Sequence, residues 1–159
     1  MIQVAVLAIS NKILSGQIPD KNRKSLEDIL TNHQLTLLSC EVVADDRRTI
    51  SHRLATLCQK PAPHIVFTLG GTGVRPTDWA PEATRDVIEK EIPGIGEAMR
   101  AESLKKVGTA MLSRGTAGIR GTTLIINLPG SVKGAQENLE VVLPLLEHMV
   151  VKIGGVATQ

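Results

Sequence analysis

The residues able to do chemistry in this chain stand in short polar segments that follow apolar runs. The first is GGTG at 70–73, directly after IVFTL. Gly70, Gly71 and Gly73 can take positive φ and bring backbone N–H groups close to a ligand, which makes a nest for phosphate. Thr68 and Thr72 add hydroxyls. The segment is not a Walker A loop, since no G-K-[ST] follows, and it lacks the spacing of a dinucleotide fingerprint. Alone, GGTG also reads as a plain tight turn; at a strand end beside an acidic residue, phosphate is favoured. Asp78 supplies that acid, and Asp45 ends a neighbouring apolar run. Two carboxylates beside a phosphate nest suit Mg²⁺, which keeps several waters and takes one or two protein carboxylates plus phosphate oxygens. Taken singly, each aspartate reads equally well as a helix cap, and Asp46 reads as a cap or a solvated neighbour. The pair points to magnesium-dependent phosphoryl or nucleotidyl transfer, where catalysis is mostly positioning and charge neutralisation.

Two further segments extend this set. Pro129, Gly130 and Ser131 precede a helical pattern, so Ser131 can cap it while open N–H groups offer a second phosphate or ligand contact. Ser113 and Arg114 lie on a hairpin, where Arg114 either clamps a phosphate or is a surface arginine. Nothing has the pattern of a Ser-His-Asp or Cys-His nucleophilic centre, which disfavours acyl transfer. The four histidines are scattered, without a spacing that recruits zinc.

The elements that must position these residues alternate. Residues 3–9 predict a strand; Leu26, Ile29 and Leu30 mark a helix face; Leu35–Val43 predicts a strand; Ile50, Leu54, Leu57 and Cys58 mark a second helix; Ile65–Leu69 predicts a third strand. Continuous apolar strands such as VAVLAI indicate burial on both faces. The expected fold is therefore α/β, a three-layer α/β/α sandwich with a mostly parallel sheet, in a single domain over 1–159. A helix opening at Pro81 is expected over 81–91, with Arg85 to Glu89 and Asp86 to Lys90 as charge pairs on its solvated face. A helix at 95–106, a β-hairpin of two extended runs from Ala110 linked near Arg120 and Gly121 with its second strand at 122–128, and a last helix broken at Pro144 before 145–153 complete the chain. In open parallel sheets ligands bind beyond the carboxyl ends of the strands. Ser10 and Asn11, Asp45 and Asp46, 70–73 and 129–131 should thus open on one rim.

Bulk properties exclude other classes. The chain of 159 residues is 42% apolar and 21% charged, an ordinary globular composition. A net charge of +2 with one Trp, one Phe and no Tyr gives neither a basic surface nor aromatic platforms for nucleic acid. No apolar run approaches the roughly 20 residues that span a bilayer, and the amino terminus lacks a basic flank and cleavage site, so a cytoplasmic protein is expected. Cys40 and Cys58 read as buried reduced thiols.

With these residues assembled, the chain resembles the MogA/MoaB family of molybdenum-cofactor biosynthesis. The resemblance covers nearly the whole chain and rests on GGTG at 70–73, D-x-A-P-E-A at 78–83, PGIGEAMR at 93–100, SRGTAG at 113–118 and LPGS at 128–131. It implies adenylylation of molybdopterin by MgATP with release of pyrophosphate, ahead of a molybdate-insertion enzyme, in a homotrimer or hexamer. By resemblance, Asp45 and Asp78 hold magnesium and organise the transition state. Gly70, Gly71, Thr72 and Gly73 hold a phosphate end of a ligand, with Ser10, Asp20, Glu82 and Ser131 around the crevice. The chain departs from the family at Asn11, Asn22, Ala44, Thr77 and Val132; Thr77 stands where an arginine often precedes the aspartate. Asn11 and Ala80 are more similar to MoaB, which implies the alternative of a molybdopterin-binding or assembly protein with little or no transferase activity.

Overall fold

The computed structural model describes residues 1–154. In chain order the elements are β1 (Ile2–Ile9), α1 (Asn11–Leu14), α2 (Asn22–Asn32), β2 (Leu35–Val43), α3 (Arg47–Leu57), β3 (Ile65–Leu69), α4 (Ala80–Val87), β4 (Lys90–Glu91), α5 (Pro93–Leu104), β5 (Ala117–Arg120), β6 (Thr123–Leu128), α6 (Val132–Val142) and α7 (Leu146–Ile153). Short 3-10 turns occupy Gly108–Leu112 and Leu143–Leu145.

The sheet has six strands in the order β2-β1-β3-β6-β5-β4. β2, β1, β3 and β6 are mutually parallel, while β5 runs antiparallel to both of its neighbours. Because successive side chains on a strand point to opposite faces, β1 feeds two cores. Val4, Val6 and Ala8 join Phe67, Leu124 and Ile126 beneath Leu26 and Leu30 of α2, Met99 of α5, Leu139 of α6 and Leu146 of α7. Ala5, Leu7 and Ile9 join Val66 and Ile125 beneath Ile50 and Leu54 of α3 and Ala80, Ala83 and Val87 of α4. These are the three expected layers. β3 and β6 are buried along their whole length, whereas the edge strand β2 is mostly half-exposed and carries a register shift opposite Val4 and Ala5. Edge placement leaves backbone groups open to another chain, and the irregular pairing limits strand addition there.

Four local expectations are corrected. α4 ends at Val87, not at residue 91, because the sheet edge captures the next residues: Ile88 is extended (ψ 149°), the Glu89 N–H donates to the Ile119 carbonyl (2.7 Å), and Lys90–Glu91 pairs with β5. The expected charge pairs on that helix are replaced by Arg85–Glu91 and Arg47–Asp86. The hairpin is real, with Gly121 (φ +59°) opening its two-residue turn, but its first strand starts at Ala117, since Gly108–Leu112 forms a 3-10 turn. Pro144 does separate two helices, through the 3-10 turn Leu143–Leu145. Both cysteines are free and half-buried rather than fully buried, and burial pushes both thiols up from their ordinary value.

Candidate functional site

The order of the sheet reverses at β1, whose successor β2 lies on one side and β3 on the other. A crevice forms at such a switch point beyond the strand ends. The loops after β3 and β6 meet there through glycines. Gly70 has φ +96°, its N–H donates to the Leu128 carbonyl (3.0 Å), and a Cβ on it would stand 2.7 Å from the Ile9 carbonyl oxygen. A Cβ on Gly130 would lie 3.2 Å from the Gly70 Cα. Three strand ends approach so closely that only glycine fits between them. Gly71 (φ +68°) then sets its carbonyl to accept the Ala80 N–H at the start of α4 (3.0 Å).

Asp78 is fixed by its own loop: its carboxylate Oδ2 accepts the Arg75 N–H (2.8 Å), and its N–H donates to the Arg75 carbonyl (3.0 Å). A Cβ on Gly73 would press to 2.8 Å from that Oδ2, so the glycine leaves room for the acid. Beside it opens a cavity of about 350 Å³ lined by Val74, Arg75, Pro76, Asp78, Trp79, Glu82 and Arg114. Arg114 spans the segment. Its Nη1 donates to both oxygens of Glu82 (2.8 and 2.7 Å), its Nε to the Gly73 carbonyl (2.7 Å), its Nη2 to the Asp78 carbonyl (2.9 Å), and its N–H to the Thr72 carbonyl (2.7 Å). The hydrogen-bonded Glu82 carboxylate raises the Arg114 pKa above its ordinary value.

The ends of β1 and β2 form a second group. Ser10 caps α1 by accepting the Ile13 N–H (3.2 Å). Asn11 and Asp45 are bracketed reciprocally: the Asn11 N–H donates to Asp45 Oδ2 (3.2 Å), and the Asp45 N–H donates to Asn11 Oδ1 (2.9 Å). Asp46 is the cap of α3, accepting the Thr49 hydroxyl (2.7 Å) and N–H (2.8 Å), and these bonds hold its carboxyl below the ordinary range. Asp20 accepts the Arg23 N–H (3.3 Å), and Ser131 caps α6 through the Gly134 N–H (3.1 Å). Ser113 accepts the Gly115 N–H at 3.4 Å. Pro129 is half-buried, against the position a Cβ on Gly134 would take.

The structure therefore gathers Asp78, Glu82 and Arg114 around one cavity and joins Gly70 to Gly130 at the strand ends. Asp45 and Ser10 sit on the adjacent β1/β2 rim and do not line that cavity. Thr68 does not offer its hydroxyl to a ligand: it is fully buried and accepts from Asn127 Nδ2 (3.0 Å). Three polar residues had no role assigned from the sequence. Asn22 is buried and donates to the Gly130 carbonyl (2.6 Å). Asn127 donates to Thr68 and Thr84 and accepts the Thr116 N–H. Arg100 donates to the Gly115 carbonyl (2.6 Å). The one available signal was an asparagine inside the apolar run TLIINL, which must find partners when buried.

The carboxylates fit magnesium by donor chemistry. Each is a hard oxygen ligand, and in Asp78 and Asp45 alike the hydrogen bond to the neighbouring backbone is taken on Oδ2, with Oδ1 left for a cation. Among the described residues no three His, Cys, Asp or Glu side chains converge as a metal cage.

Residues 5–148 match the model of the family described as probable molybdopterin binding domain. A molybdopterin adenylyltransferase of Helicobacter pylori is 42% identical over 156 residues, 97% of this chain and 89% of the relative. The molybdopterin adenylyltransferase of Escherichia coli is 39% identical over 141 residues, 87% of this chain and 72% of the relative. The crystal structure of the molybdopterin biosynthesis enzyme MoaB from Thermus thermophilus covers all of both chains with TM-score 0.92 at 39% identity. With its sheet order, its glycine-joined strand ends and these matches together, the chain belongs to the MogA/MoaB family of probable molybdopterin-binding domains in molybdenum-cofactor biosynthesis.

Proposed function

We propose that this protein is a molybdopterin adenylyltransferase, transferring AMP from ATP to the phosphate of molybdopterin and releasing pyrophosphate. The observation that carries the reading is the open crevice at the switch point, where Gly70 and Gly130 join strand ends next to Asp78, in a chain 42% identical to a protein of that name. The Gly70 N–H, expected to face a ligand, is taken by the Leu128 carbonyl, so the nest is left to 71–73, whose backbone N–H groups would meet phosphate oxygens and orient them by geometry rather than charge. Asp45 and Asp78 would hold Mg²⁺, which when bound neutralises charge on the phosphates. A phosphate oxygen of molybdopterin attacks the α-phosphorus in line; the bond to the bridging oxygen of the β-phosphate breaks, and pyrophosphate leaves with that electron pair. No protein nucleophile takes part, so the work of the chain is to align two phosphates and exclude competing orientations. Ser10, Asp20, Glu82, Ser113, Arg114 and Ser131 would shape the crevice by the capping and bridging bonds already described, and Pro129 by packing beside Gly134.

The protein would act in the cytoplasm as a homo-oligomer, trimer or hexamer, and pass adenylylated product to a molybdate-insertion enzyme. The exposed apolar side chains Leu104, Val107, Met111 and Leu112 support self-association, since they crowd the stretch from the end of α5 through the following 3-10 turn. A second reading, a molybdopterin-binding protein without turnover, draws on the full-length match to MoaB. Pyrophosphate release from MgATP, with and without molybdopterin, separates the two. Release that requires molybdopterin supports the transferase; bound pterin with no release supports the binder.

A further inference from the structure

The candidate cavity contains two arginines whose surroundings are opposite. Arg114 has its fork filled from three directions by Glu82 and the carbonyls of Gly73 and Asp78. Its backbone N–H holds Thr72, and its neighbour Gly115 is held by Arg100 from α5. Arg75 lines the same cavity with an exposed side chain, and among the described residues its guanidinium takes part in no hydrogen bond or ion pair; its backbone N–H and carbonyl are used, both on Asp78. When the closed Arg114–Glu82 pair is set aside as internally neutral, the charges facing the cavity are those of Arg75 and Asp78.

We propose a division of labour between the two: Arg75 is the cation that contacts ligand phosphate, and Arg114 is a positioning residue that splints the segment 72–82 so that the glycine nest and Asp78 keep their geometry. A guanidinium already paired with a carboxylate has little charge left for an anion, and releasing it would strand Glu82 and two carbonyls. Arg75 has no such bonds to give up. The position also relates to Thr77, which carries no charge in the same loop. The inference rests on the reading of this crevice as a phosphate site.

The test is titration of pyrophosphate and of MgATP into the full-length protein, followed by Trp79 fluorescence, with thermal melting of each variant as a check on folding. Arg75→Ala should weaken both ligands by about tenfold or more, flatten the salt dependence of binding, and leave the melting temperature unchanged; Arg75→Lys should recover part of the affinity. Glu82→Gln distinguishes the roles of Arg114. If Arg114 were the phosphate clamp, removing its carboxylate partner would free it and tighten binding; as a splint it loses an anchor, so binding weakens and iodide reaches Trp79 more readily in the free protein. Arg114→Lys should also loosen the splint, because a single ammonium nitrogen cannot reach the separate acceptors that Nε, Nη1 and Nη2 reach. Tighter binding in Glu82→Gln, or unchanged affinity in Arg75→Ala, overturns the division of labour. Unaltered protein that binds neither ligand overturns the phosphate reading itself, and the inference with it.

Discussion

At the scale of single residues, the site depends on groups whose alternatives are sterically or electronically closed. Asp78 keeps one carboxylate oxygen on the Arg75 N–H, a bond that an amide oxygen can also accept. Asp78→Asn should therefore keep the fold and the melting temperature yet lose pyrophosphate release by two or more orders of magnitude, about 3 kcal/mol of transition-state stabilisation. Normal turnover in that variant would remove Asp78 from the mechanism. Gly70→Ala carries the opposite expectation. Its Cβ would meet the Ile9 carbonyl at 2.7 Å in a backbone at φ +96°, so the substitution should cost roughly 1–3 kcal/mol in urea denaturation and impair ligand binding together. GGTG was legible as a chemical motif because glycine permits what no other residue does. The uses of Arg114 were not legible, because the carbonyls and the carboxylate it binds lie 32 to 41 positions away in the chain.

Elements are tied across the sheet by a few polar bonds, and their loss is a matter of stability. Asn127 on β6 reaches β3 through Thr68, α4 through Thr84 and the segment before β5 through the Thr116 N–H. Asn127→Ala strands that buried N–H and should cost roughly 1–3 kcal/mol, read as a lower urea midpoint at unchanged slope. α3 is joined to α4 by Arg47 and Asp86, whose carboxylate accepts two bonds from the guanidinium (2.8 Å each) and one from the Ser51 hydroxyl (3.1 Å). The Arg47 hydrogen bonds are the main reason that the Asp86 carboxyl is held below its ordinary value of 3.8. A carboxyl depressed in the folded state stabilises fully above its unfolded pKa, and the contribution disappears as pH falls through the folded value. The stability gap between unaltered protein and Asp86→Asn should thus be open at neutral pH and close on acidification below that ordinary value. A gap that persists in strong acid would show that Asp86 acts other than through its charge. The helix boundary at Val87 belongs to this scale too: the local pattern at 81–91 is helical, but pairing with β5 satisfies the same backbone groups in the sheet.

For the whole molecule, the outstanding property is the apolar surface. Met111 is 69% exposed and Leu112 48%, immediately before Ser113 and Arg114. If copies of the chain cover this surface, Met111→Glu should lower the molar mass measured by light scattering after gel filtration, and the smaller species should show altered Trp79 emission because the covered turn leads into the Arg114 splint. An unchanged mass would place the subunit contact elsewhere. Among the described residues no helix is long and apolar enough to cross a membrane.

The sequence alone determined the alternation of strands and helices, since side-chain period and β-branched composition are local properties, and it determined which segments could carry phosphate chemistry, since glycine and aspartate declare their abilities wherever they stand. It also indicated the buried parallel strands, because burial on both faces requires continuous apolar runs. Tertiary structure decided what lay beyond local pattern. It closed α4 early by pairing Lys90–Glu91 at the sheet edge, and it turned the Thr68 hydroxyl inward to Asn127. It bracketed Asp45 with Asn11, and it filled one arginine of the cavity while leaving the other open. Each of these depends on partners brought together by the fold from distant positions, and hydrogen-bond competition among such partners has no local signature in the chain.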